Sequence, residues 1–139
     1  MADLVALLDP PAATAVRRTL PPGAPALVRA ASHAALLRLL DRRPIEALIT
    51  DAHRLDPDAL RALRIAWPHL PVIVAVTPRA DDGAVLRRWR TAGATALLVS
   101  GVDDAIAGQV VLRHAWVTAR WRVLAGHARA LRCETALQA

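Results

Sequence analysis

Four polar side chains stand where apolar runs give out. Asp9 closes DLVALLD (3–9), Asp51 closes IEALITD (45–51), Thr77 closes PVIVAVT (71–77) and Ser100 closes TALLVS (95–100). Runs of six or seven residues, mostly aliphatic, are too short for typical helices and read as buried strands. As parallel strands of one sheet they would bring all four side chains to its carboxyl edge, where ligands gather in open α/β sheets. Two carboxylates suit one hard divalent cation that keeps some of its own waters, and a hydroxyl opposite donates to an anion. Such a constellation fits a phosphoryl group carried on Asp51, with a metal neutralising its oxygens and Thr77 bonding one of them.

The segments between these runs are helical. Pro10 and Pro11 open a helix through AATAVRRTL, since the first-turn amides have no intrahelical partner, and PPG at 21–23 ends it. A short strand is expected at Ala26–Ala30. Ser32 caps HAALLRLLDRR, whose stripe is Leu36, Leu37, Leu39 and Leu40. Asp56 and Pro57 start a helix with Leu60, Leu63 and Trp67 on its apolar face, and Pro68 stops it. Asp81 or Asp82 caps a helix carrying Val85, Leu86 and Trp89, Gly93 closes it, and a last helix begins near Asp103. Strand–helix alternation repeated five times predicts an α/β fold: a five-stranded parallel sheet with helices on both faces and right-handed crossovers. A dinucleotide-binding fold would need a glycine fingerprint after the first strand, where this chain has Asp9-Pro10-Pro11.

A chain of 139 residues allows one domain plus an extension. Of its residues 55% are apolar but 3% aromatic, all Trp, so the core is built from Leu, Val, Ile and Ala. Every one of the 18 basic residues is Arg, against 12 acidic residues, for a net charge of +6. They are scattered, with no aromatic-interleaved groove, and Arg54, Arg61 and Arg64 read as a solvated face; nucleic-acid binding by this segment itself is not expected. The single Cys133 excludes an internal disulfide or CxxC unit. His33, His53, His69, His114 and His127 show no zinc-ligand spacing. With no long apolar run and no leader pattern, the chain reads as cytoplasmic, without membrane contact. Trp67 and Trp89 sit at core positions.

Residues 103–139 exceed a closing helix of about 12 residues. Val110, Val117, Leu124 and Leu131 recur every seven residues, as do His114, Trp121, Ala128 and Thr135, a period that suits a helix pairing with a partner. Trp116 and Trp121 suit an interface. The expected division is a domain over 1–115 and a dimerisation or linker helix over 116–139.

Three stretches, LITD at 48–51, PVIVAVT ending at Thr77 and AGATALLVSGVDD at 92–104, resemble the receiver domains of two-component response regulators. The resemblance spans roughly residues 3–115 and implies the flavodoxin-like receiver topology. It implies that Asp51 is the phosphoacceptor, that Thr77 senses the phosphoryl group, and that magnesium is held by Asp9, Asp51 and the His53 backbone carbonyl. The chain departs from the pattern at several positions. Leu8 stands where a second metal-holding acid is usual, Ser100 where a lysine is, Gly101 where a proline is and Leu97 where an aromatic switch residue is; the chain has no lysine. Arg79 is the nearest substitute charge, with different reach and geometry. Magnesium binding is therefore expected to be weakened. The expectation is an atypical or pseudo-receiver module acting through protein contact and homodimerisation, with impaired or no phosphorylation switching, and with an output domain or partner protein and a histidine kinase as candidate associates. Alternatives are a phosphoacceptor receiver switching at Asp51 with magnesium and, remotely, a small doubly wound enzyme. The latter would need a base or nucleophile beyond the two carboxylates, so no enzymatic activity is expected.

Overall fold

The computed structural model describes residues 2–77, 83–120 and 124. In chain order come β1 (Asp3–Leu7), α1 (Pro10–Thr19), β2 (Leu27–Arg29), α2 (His33–Arg42), β3 (Ile45–Asp51), α3 (Pro57–Ala66), β4 (Val72–Val76), α4 (Gly83–Ala92) and β5 (Ala96–Val99). A 3-10 turn at Asp104–Ile106 leads into α5, helical over residues 107–120. The five strands pair in parallel in the order β2-β1-β3-β4-β5, as the alternation predicts.

Side chains alternate across a strand, and the core accordingly divides in two. One face carries Val5, Leu7, Leu48 and Val74 against Leu36 and Leu40 of α2, Leu60 and Leu63 of α3, and Trp89 of α4. The other carries Leu4, Ala6, Ala47, Ile49 and Ile73 against Ala13 and Val16 of α1 and Val111 and Ala115 of α5. Each fully buried Leu or Ile contributes about 1.5–3 kcal/mol of apolar transfer. The second face is lined with alanine, so α1 and α5 lie close to the sheet and to each other.

Helix ends follow local chemistry. Ser32 Oγ accepts from the Ala35 amide at 3.1 Å and Asp56 Oδ1 from the Ala59 amide at 2.7 Å, both as expected of N-caps. β3 spans its whole run, whereas β1, β4 and β5 are shorter than theirs. β1 stops at Leu7 because Asp9 already has the N-cap conformation of α1, and β5 stops at Val99 because Gly101 turns the chain at φ +85°. The α4 caps expected at Asp81 or Asp82 lie outside the described residues, as does Arg79.

Away from the carboxyl edge of the sheet, Arg64 and Val110 differ in role from their reading in the sequence. Arg64 is a half-buried staple, not part of a solvated face. Its guanidinium donates to the Gly93 carbonyl at 2.8 Å, to the Thr95 hydroxyl at 3.0 Å and to the Leu70 carbonyl, tying α3 to the loops flanking β4 and β5; burial pulls its pKa down. Val110, assigned by the seven-residue repeat to a partner seam, packs against the α1–α5 core.

Two glycines separate backbone crowding from simple helix propensity. Gly108 abuts Thr19: a Cβ there would lie 2.7 Å from the Thr19 and Leu20 backbone, and its amide donates to Thr19 Oγ1 at 2.7 Å. Gly83 has open space. Gly108→Ala is predicted to lower stability in urea unfolding by about 1–3 kcal/mol, whereas Gly83→Ala should be neutral or stabilising by up to about 1 kcal/mol.

Candidate functional site

β3 delivers Asp51 to the carboxyl edge between β1 and β4, with Leu7 opposite Thr50 and Ala75 opposite Asp51. The two polar residues within the strand are buried and partnered; Thr50 Oγ1 donates to the Leu7 carbonyl at 3.1 Å. Asp51 itself is half-buried. Its Oδ1 accepts the amides of His53 and Arg54, each at 2.9 Å, so one carboxylate oxygen organises the turn into α3.

The sheet edge brings only some of the expected residues into one hollow. Asp51 and Ser100 line a cavity of about 270 Å³, together with Leu8, Ala12, Ile49, Ala75, Leu98, Asp103 and Asp104. Asp9, His53 and Thr77 do not line it, and all three are exposed. Asp9 instead pairs with the Arg54 guanidinium. Arg54 is therefore an edge residue as well; among the three arginines read as solvated, Arg61 alone fits, pairing with Asp58 at 3.1 Å on the surface of α3.

The β5–α5 connection is tied by its own acids. Asp103 Oδ2 accepts the Val99 amide at 2.7 Å and Asp104 Oδ1 the Gly101 amide at 3.1 Å, while Ser100 is fixed through its amide to the Val76 carbonyl at 2.9 Å. These two aspartates were part of the VSGVDD run, and their spacing after the glycine is the signal that places them in a turn. They bring negative charge to the same hollow as Asp51. Among the described residues lining it, none is cationic. A phosphoryl group on Asp51 would add like charge there, where opposite charge favours ionised groups and like charge opposes them.

The fit to magnesium was tested on the residues implied for it. Asp9 is engaged by Arg54, Leu8 presents buried hydrocarbon where a second carboxylate would stand, and one Asp51 oxygen is occupied by amides. Among the described residues no group of three His, Cys, Asp or Glu side chains is arranged to hold a metal ion. With Asp9 engaged by Arg54, the donor set does not fit a magnesium site, which takes near-octahedral oxygen coordination.

On the last helix, Gln109, Leu112, Arg113, Trp116, Val117 and Arg120 border a groove of about 560 Å³ on one side. Trp116 is 61%, Val117 50% and Leu124 49% exposed. Trp121 and Leu131 lie outside the described residues.

No family model matches the chain, and no curated protein matches it. Solved structures do. A response regulator from Thermotoga maritima is 15% identical with a TM-score of 0.68, over 81% of this chain and 98% of that one. The N-terminal receiver domain of a response regulator from Bacteroides fragilis is 18% identical with a TM-score of 0.67, over 83% and 98%. NtrX from Brucella abortus is 14% identical with a TM-score of 0.73, over 90% of this chain but 29% of that one.

The loop geometry gives a direct check. Asp103→Ala should speed hydrogen exchange at the Val99 amide and cost about 1 kcal/mol for the lost bond; Asp104→Ala, whose partner amide belongs to exposed Gly101, should do less. The parallel order β2-β1-β3-β4-β5, with three helices on one face and two on the other, and these structural likenesses together give the chain the fold of response-regulator receiver domains.

Proposed function

We propose that this chain is an atypical receiver-like signalling module that works through protein contact without phosphoryl switching at Asp51. The observation that carries the reading is the composition of the cavity beside Asp51. Leu8, Ser100, Asp103 and Asp104 line it with no described cation, so a new phosphoryl group would meet hydrocarbon and like charge. The reading is of a cytoplasmic, non-enzymatic module; separately, no helix among the described residues is long and apolar enough to cross a membrane. A histidine kinase remains a candidate partner only in the phosphoacceptor reading, which is favoured by the retained place of Asp51 at the end of β3 and its partial exposure. Incubation with acetyl phosphate and magnesium, followed by intact-mass analysis, tests between them. No added phosphoryl mass is expected; a gain lost in Asp51→Asn would establish the phosphoacceptor instead.

In this proposal the helix past residue 115 is the dimerisation or linker element, with Trp116, Val117 and Leu124 at the contact and Trp121 and Leu131 continuing it. The exposure of Trp116, Val117 and Leu124 supports this, since large apolar side chains left in water favour association. The partner is a second copy, and an output domain would receive the signal; the much longer Brucella NtrX chain supports a place for such a domain beside this one. Nucleic acid would be met only through that output domain. Arg113 and Arg120 share the exposed groove with Trp116 and Val117, so self-association brings like charges together. Light scattering should show a concentration-dependent dimer that tightens as salt screens the arginines and weakens when the chain is cut before residue 117. A monomer at all concentrations would refute the dimer.

A further inference from the structure

We propose that Arg54 is the resident cation of this sheet edge, neutralising Asp9 and joining the β1–α1 and β3–α3 loops where the fold's resemblance implied a divalent metal. The inference rests on the reading of Asp51 as a site without metal-dependent phosphoryl chemistry. It begins from the mismatch described above. Of the groups implied as metal ligands, Asp9 faces a guanidinium and the Asp51 carboxylate is turned into a turn-forming acceptor by the amides of His53 and Arg54.

Arg54 thus acts on both acids at once, through its side chain on Asp9 and through its amide on Asp51. The charge itself meets Asp9, while Asp51 is held by the uncharged amide of the same residue, so one residue of the chain links the two acids. An arginine suits the role because its guanidinium keeps its charge at any physiological pH and is less strongly hydrated than an ammonium. A second arginine secures the same corner without competing for the acids: Arg29 Nε donates to the Leu8 carbonyl at 2.8 Å, fixing the end of β1. The end of β1 is therefore held by two guanidinium groups of the chain and the end of β3 by backbone amides. A metal approaching Asp9 must first displace Arg54, and Leu8 offers no additional carboxylate in return.

The role of Arg54 is tested with magnesium alone, in the absence of any phosphodonor, so that its outcome is separate from that of the acetyl phosphate experiment. Full-length wild type, Arg54→Met, Asp9→Asn and the double variant are unfolded in urea with and without magnesium chloride. Arg54→Met and Asp9→Asn are each expected to lower the unfolding constant by roughly two- to fivefold, the size of partly exposed ion pairs, and the double variant by no more than either single change. Wild type is expected to show no magnesium response. Arg54→Met is expected to gain one that Asp9→Asn removes, while Arg54→Lys, which keeps a charge, stays closer to wild type. Independent effects of the two single substitutions, or an Arg54→Met response no greater than that of wild type, would overturn the proposal. Should Arg54→Met fail to fold, amide spectra of wild type titrated with magnesium decide: unchanged Asp9, Asp51 and His53 signals support it, and saturable shifts there overturn it.

Discussion

β3 is buried along nearly its whole length, with Ile45 to Thr50 enclosed and only Asp51 reaching partial exposure. It lies between β1 and β4 and is covered by helices on both faces, so its backbone must pair on both sides and its side chains must be apolar or internally bonded. This enclosure fixes the rest of the structure. It sets the register that puts Leu7 beside Thr50 and Ala75 beside Asp51, and it confines polar chemistry to the strand end. What surrounds Asp51 is then decided by the loops, which the sheet leaves free to vary.

Those loops place both signs of charge at the edge. The connection after β5 contributes two aspartates that tie its own turn, and the connection after β3 contributes an arginine that pairs with the acid after β1. The scaffold and the chemistry are therefore separable here, as expected when function depends on a few groups placed on a shared fold. The fold is that of a receiver domain; the reading of its edge as silent toward phosphoryl groups rests on the particular residues found there.

The sheet was legible in the sequence because continuous runs such as PVIVAVT have few alternatives once prolines and polar residues bound them. Ser32 and Asp56 were legible as caps because capping is local, decided within three residues. The ends of strands were less so: Asp9 and Ser100 terminate apolar runs, yet the turns set by Pro10 and Gly101 take them out of the ladder. Arg54 and Arg64 were misread for a common reason. Their partners, Asp9 in one case and Gly93, Thr95 and Leu70 in the other, are distant in sequence or lie on a different element, and periodicity carries no information about such pairings. Val110 was misread because a seven-residue repeat does not say how far along the helix the domain covers it: Val110 still packs against the core, whereas Val117 and Leu124, further along, are exposed.

The central claim is that the Asp51 edge does not respond to phosphoryl chemistry. Amide NMR spectra of the wild-type chain, recorded before and after addition of magnesium with beryllofluoride as a phosphoryl mimic, test it most directly. The account predicts superimposable spectra at Asp51, Thr77 and Ser100 and through α5. A saturable set of shifts centred on Asp51 and spreading to β5 and α5, absent in Asp51→Asn, would contradict it.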